Sequence, residues 1–260
     1  METLIIDRTE TQVLVDLPKL NKIKVIVLKV KNNAFKDVEK PYEISILGKT
    51  MLDWVRLAVD NYAVQMVDYE NGADVVETIR PFLSDEDFTV VLFSDTPLIK
   101  KRTVDEIVDY ATTKDVNVCK LTRGYVFKTK FLKLAEKVYT AEPHYFDEED
   151  FITAFGYKQL SLIEDIMRNR ILNFHLKNGV RILDLSSVSI DADVTIKSGT
   201  EIHANNRIYG ACIIGQNVKL LPNNVITSSI IEDNCEILYS VVKNSKIPQN
   251  SKIGPFKNIQ

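Results

Sequence analysis

The order of apolar and polar positions divides this chain of 260 residues near position 180. Upstream, short apolar runs alternate with amphipathic stretches. Lys24–Leu28 (KVIVL) and Thr89–Phe93 (TVVLF) are continuous apolar runs of the length expected for buried strands. Val64–Val67, Val116–Cys119 and Tyr125–Phe127 predict three more short strands. Met51, Leu52, Val55, Ala58, Val59 and Tyr62 share one helical face, and Thr50 with Asp53 forms a capping-box pattern, so a helix is predicted over Thr50–Tyr62. A second helix is predicted over Val75–Phe82, stopped by Pro81. A third opens on the pattern Thr103 and Glu106 and runs to Ala111. This alternation predicts a mainly parallel sheet covered by helices, in which ligands sit beyond the carboxyl ends of the strands. Asp95, just after the TVVLFS run, holds such a position.

A long helix follows, predicted over Gln159–Lys177, with Leu160, Ile163, Met167, Ile171 and Phe174 at helical spacing and Gly179 placed to end it. It reads as a strut between two domains. Beyond it the period changes. Ile190, Ile196, Ile202, Ile208, Ile214, Leu220 and Ile226 recur every six residues, and Ile231, Ile237, Val242, Ile247, Ile253 and Ile259 continue at steps of five or six. Neither a helix nor an ordinary strand has a period of six, whereas a hexapeptide β-helix does. Each unit then gives one short strand, the aliphatic points inward, and three units close a coil, for about four coils. Cys212 and Cys235 fall four positions after core aliphatics and are expected to pack inside, as is Cys119 in its strand.

Composition narrows the function classes. Thirty-three basic residues against 36 acidic ones give a net charge of −3, without the basic block that a nucleic-acid partner would need. No apolar run approaches the roughly 20 residues of a membrane span. The opening METLIIDRTE lacks the basic and apolar regions of a signal peptide. Three dispersed cysteines indicate neither a disulfide framework nor a zinc site. A cytoplasmic location is the expectation.

His175, Asn178, Gly179, Val180, Ile182 and Asp184, followed by Ile190–Val194 (IDADV), resemble the linker and first coil of the bacterial bifunctional N-acetylglucosamine-1-phosphate uridylyltransferase and glucosamine-1-phosphate acetyltransferase family. The closing Ile253–Phe256 (IGPF) matches as well. Upstream, Gly48-Lys49-Thr50-Met51-Leu52 is similar to the family's Gly-Lys-Pro-Met-Leu, and Leu92–Ile99 (LFSDTPLI) to its metal-binding strand end. The resemblance implies a reduced nucleotidyltransferase-like (Rossmann-type) α/β domain over 23–157 and a linker helix over 158–180. A left-handed parallel β-helix over 181–260, which trimerises, follows, and 1–22 precede the family's usual start. The chemistry it implies is attack of a sugar phosphate on the α-phosphate of UTP, with Mg²⁺ held by an Asp and an Asn.

The motifs of that chemistry are largely replaced. Where the family carries Leu-Ala-Ala-Gly-x-Gly-Thr-Arg-Met stands Leu28–Lys36 (LKVKNNAFK), with both glycines gone and Phe35 at the Arg position. Glycine is needed there for close approach of the backbone to phosphate. Glu39-Lys40-Pro41 inverts the phosphate-binding Leu-Pro-Lys. Glu70-Asn71-Gly72-Ala73 keeps only Gly72 of the uracil-reading Gln-Leu-Gly-Thr. Leu121-Thr122-Arg123 replaces Asn-Thr-Gly, and Lys158 stands at the second metal-ligand position. The family's acetyltransferase histidine would lie beyond the chain's last residue, and no histidine follows His203, which argues against an acyltransferase.

The resulting expectation is a degenerate, non-catalytic uridylyltransferase-like protein that scaffolds, regulates or binds a sugar nucleotide weakly. The alternative is an active nucleotidyltransferase with an altered UDP-N-acetylglucosamine-type substrate. No catalytic residue is assigned and no cofactor is required, Mg²⁺ entering only with an active cleft. Gly72, Asp95 and Lys158 are the candidate substrate-binding residues and Asp95 the candidate metal ligand. Lys158 is expected to pair with Asp95 in place of a metal, an ammonium near a carboxylate favouring both charged forms. Lys29, Lys31 and Lys36 are expected in a solvated loop, His175 in a structural contact, and the Asp147–Asp150 run at a solvated helix start.

Overall fold

The computed structural model describes residues 21–31, 34–36, 38–135 and 142–260. Most of the stretch 1–22, and Asn32 and Asn33 of the replaced loop, lie outside the described residues. The first domain is built on strands β1 (Ile23–Lys31), β2 (Ser45–Ile46), β3 (Lys49–Thr50), β4 (Ala63–Glu70), β5 (Phe88–Phe93), β6 (Val118–Leu121), β7 (Gly124–Lys128) and β8 (Glu142–Pro143). Its helices are α1 (Met51–Ala58), α2 (Val75–Ile79), α3 (Lys101–Lys114) and α4 (Thr129–Leu134). The main sheet has the order β4-β1-β5-β7-β6-β8, and β7 alone runs against its neighbours.

The pleat explains why the strands read as unbroken apolar runs. Val25 and Val27 of β1 face one layer with Val55 of α1 and Val104 and Ile107 of α3. Ile26 and Leu28 face the other, with Ile79 of α2 and Leu132 of α4. A sheet covered on both faces has no polar side to alternate with. Helix α1 starts as expected: the Thr50 hydroxyl accepts from the Asp53 amide and the Asp53 carboxylate accepts from the Thr50 amide. It stops at Ala58, earlier than its apolar spacing suggested. Helix α2 is short and passes into a 3-10 turn at Arg80–Phe82, where Pro81 removes a helical donor.

The capping box expected at Thr103 is absent. Helix α3 begins two residues earlier, at Lys101, and the Thr103 hydroxyl donates to the Asp150 carboxylate at 2.5 Å. Asp150 itself corrects the reading of the acidic run. Asp147 caps a 3-10 turn over Glu148–Phe151, and that turn carries Asp150 out of solvent altogether. There it meets the Lys100 ammonium at 2.6 Å and the Arg170 guanidinium at 3.0 Å, so one buried carboxylate ties α3 to the long helix.

That helix, α5, covers Tyr157–Lys177. Its first half packs Leu160, Ile163 and Met167 with Phe35, Ile46, Met51 and Leu98 of the α/β domain. Its second half packs Leu172, with Ile171 and Leu176 beside it, on the β-helix core. Phe174, read as part of the apolar face, is 63% exposed. Gly179 (φ +82°) ends the helix, and the Val180 amide returns to the His175 carbonyl.

Fourteen short strands from Arg181–Ile182 to Asn258–Ile259 stack into three parallel sheets of five, four and five strands. Ser189 pairs with Arg207, Arg207 with Val225, Val225 with Val241 and Val241 with Asn258, one coil at each step. The six-residue series forms the core of this parallel β-helix, together with the fully buried Cys212 and Cys235. Cys119 is buried in the first domain. At one corner Asn206 and Asn224, both wholly buried, form a ladder: the Asn224 amide donates to the Asn206 side-chain oxygen at 2.9 Å and to the carbonyls of Leu221 and Ile237. No helix among the described residues is long and apolar enough to cross a membrane.

The two domains meet at several polar contacts. Lys49 pairs with Asp193 at 2.6 Å, the Ala192 amide donates to the Leu47 carbonyl, and Arg170 donates to the Leu98 carbonyl at 2.6 Å. His175 is buried at this junction, and its Nδ1 has no hydrogen-bond partner among the described residues. Burial holds its pKa below the ordinary histidine value. The unfolded chain therefore binds more protons than the folded one as pH falls through the ordinary range near about 6.5, and stability is lost in that direction. Urea denaturation at pH 7.5 and 5.5 is expected to give a lower midpoint at the acid value, and His175→Leu to reduce that difference. An equal difference in the variant would remove His175 from the account.

Candidate functional site

The carboxyl ends of β4, β1 and β5 lie at one edge of the sheet, because all three run in parallel. Beyond β5 the chain turns at Ser94–Thr96, every residue of which is buried. The Val30 amide donates to the Ser94 hydroxyl at 2.9 Å, the Thr96 hydroxyl donates to the Phe93 carbonyl, and the Ala154 amide donates to the Asp95 carbonyl at 2.8 Å. Asp95 is therefore fixed from both neighbours and from across the cleft.

Its carboxylate is not turned to Lys158. Arg123 Nη2 lies 2.6 Å from Oδ2 and Nε lies 3.2 Å from Oδ1, so one guanidinium engages both oxygens. The Asp95 side chain is 4% exposed and that of Arg123 20%. Burial raises the Asp95 carboxyl above the ordinary carboxylate value, and the hydrogen bonds and charge of Arg123 offset only part of that rise. The guanidinium lies over the Phe93 ring at 4.0 Å, with the Phe155 ring at 5.9 Å. The β5–β7 ladder ends at Val91 opposite Tyr125, and Arg123 stands in the β6–β7 turn just beyond it, where it reaches the chain that follows β5. Lys158 sits in the first turn of α5, exposed, and makes no ion pair among the described residues.

The other candidates are spread along the same edge. Gly72 is exposed in the turn after β4 with φ +96°. Lys29 and Lys31, opposite Asp68 and Glu70 in the β1–β4 register, pair with them at 2.9 and 3.5 Å. Lys36 is exposed. Phe35 does not point into the cleft as a ligand contact: it is 1% exposed, sunk among Ile46, Met51, Leu98 and Leu160, with the Tyr157 ring edge-on at 5.1 Å.

The resemblance implies a Mg²⁺ ion between Asp95 and position 158. The residues present do not fit one. Both Asp95 oxygens are engaged by Arg123, a protonated lysine cannot ligate, and Mg²⁺ requires oxygen ligands in near-octahedral array. Among the described residues no group of three or more His, Cys, Asp and Glu is arranged to hold a metal ion. The pairing of Arg123 with Asp95 and of Asp150 with Lys100 and Arg170 was not legible in the sequence pattern, the partners lying far apart along the chain.

No family model matches the chain. Among curated proteins it is similar to the bifunctional protein GlmU of Caldanaerobacter subterraneus subsp. tengcongensis, 28% identical over 277 aligned positions that cover 82% of this chain and 60% of the relative. The GlmU of Clostridioides difficile is 28% identical over 77% of this chain and 58% of its own. That of Clostridium kluyveri is 42% identical over 102 residues, 39% of this chain and 22% of its own. The chain thus spans at most about three fifths of the length of these relatives. Among solved structures, molybdopterin-guanine dinucleotide biosynthesis protein A of Archaeoglobus fulgidus superposes with a TM-score of 0.44 at 14% identity, covering 56% of this chain and 99% of its own.

Proposed function

From the resemblance to bifunctional GlmU proteins as a premise, we propose that this protein is a sugar-nucleotide transferase-like molecule that does not transfer uridylyl groups. The observation that carries this reading is the fate of the loop after β1. Its aromatic anchor, Phe35, is buried in the hydrophobic cluster beneath the cleft, where the relatives' motif would place an arginine for phosphate. With Phe35 buried and no glycine in Leu28–Lys36, this segment lacks the residue type that lets a backbone approach phosphate closely. The retained role is scaffolding, regulation or weak binding of a sugar nucleotide along the sheet edge, with the Gly72 turn and the Asp95 loop as its contacts. Titration calorimetry with UDP-N-acetylglucosamine is the test. A Kd weaker than about 100 μM is expected, and binding near 1 μM, some 8 kcal/mol, would contradict it.

The β-helix is proposed to assemble as a trimer. Ile213 and Ile230 are paired in adjacent coils on one outer face, 45% and 41% exposed, and a second copy would cover them. Light scattering is expected to return three times the 29.6 kDa chain mass, and the mass of one chain at micromolar concentration would refute the assembly.

A further inference from the structure

The two charges buried beyond β5 have a consequence for metal dependence. We propose that the Arg123 guanidinium is the resident cation of this cleft, occupying the electrostatic place of a divalent ion at the Asp95 carboxylate. The guanidinium is planar and forked, matching both carboxylate oxygens at once. Its position is set by rigid neighbours. Gly124 begins β7 at φ +140°, and a Cβ there would stand 2.5 Å from the Val91 carbonyl oxygen, so the chain crosses β5 at the closest possible approach immediately after Arg123. Phe93 supports the plane of the guanidinium from one side at 4.0 Å.

A metal could enter only by expelling this group. It would then find one carboxylate and an exposed lysine where several oxygen ligands are required. Conversely, a carboxylate with a side chain only 4% exposed cannot lose its cation without cost, since an uncompensated buried charge is strongly unfavourable. The cation is therefore part of the fold.

Thermal denaturation of the full chain, with EDTA and with millimolar MnCl₂ or MgCl₂, tests this. The wild-type midpoint is expected to be the same in both. Arg123→Met should melt lower than wild type with or without metal. Part of that loss should be recovered in the double variant Asp95→Asn/Arg123→Met, which removes the uncompensated carboxylate. A wild-type midpoint raised by metal and insensitive to metal in Asp95→Asn, or an Arg123→Met midpoint equal to that of wild type, would overturn the proposal. Should Arg123→Met not fold, Arg123→Gln, whose amide can still donate to one oxygen, carries the same comparison. The readout is stability, so detection of uridylyl transfer would end the functional reading above without deciding this one.

Discussion

Asn224→Ala is expected to destabilise the β-helix by about 3 kcal/mol or more, the combined cost of leaving several buried polar groups unpaired at roughly 1–3 kcal/mol each. The Asn224 amide donates to the Asn206 side-chain oxygen and to the carbonyls of Leu221 and Ile237, and its own oxygen accepts from the Ser240 amide at 3.0 Å. Asn206, Asn224 and Ser240 are at most 2% exposed. Three of the four contacts, those to Asn206, Ile237 and Ser240, link neighbouring coils, and in a stacked solenoid the interface between units carries much of the stability. A mutant of the outward-facing Lys219 on the next face should lie within about 0.5 kcal/mol of wild type. Urea denaturation followed by circular dichroism measures both. An Asn224→Ala midpoint equal to that of wild type would show the ladder to be dispensable.

The β-helix was the most legible part of this chain because its geometry writes one aliphatic into every unit. Even its irregularities are readable. The five-residue steps from Ile226 to Ile231, from Ile237 to Val242 and from Val242 to Ile247 coincide with shorter corners in which Ser228, Tyr239 and Asn244 take positive φ. The buried strands Ile23–Lys31 and Phe88–Phe93 were equally plain, since both faces are covered. Charge partners were not legible. Asp95 meets Arg123 across 28 positions, and Asp150 meets Lys100, 50 positions away, and Arg170, 20 away. No local period encodes such pairs; they are set by strand register and helix docking. Lys158 was an attractive partner for Asp95 by motif alone, but α5 begins at Tyr157 and presents that lysine to solvent. One signal was available: an arginine immediately before a strand-opening glycine, on the strand beside β5. The acidic run at Asp147–Asp150 misled for a related reason, because composition reports its solvation on average and not the one member that a 3-10 turn carries inside.

The second large effect concerns catalysis. Uridylyl transfer from UTP to N-acetylglucosamine-1-phosphate is expected to be absent. Each preorganised donor lost from a site that stabilises developing charge costs on the order of 10²–10³-fold in rate. Here the loop glycines and the arginine at position 35 are replaced, Phe35 is buried in the core, and Asp95 is engaged by Arg123. Such losses compound, and two alone would take an ordinary turnover of about 10 s⁻¹ below about 10⁻³ s⁻¹. The measurement that bears most directly on this account is pyrophosphate release by the purified protein with UTP, N-acetylglucosamine-1-phosphate and Mg²⁺. A rate indistinguishable from the protein-free control is expected, and turnover near about 1 s⁻¹ would contradict the absence of uridylyl transfer.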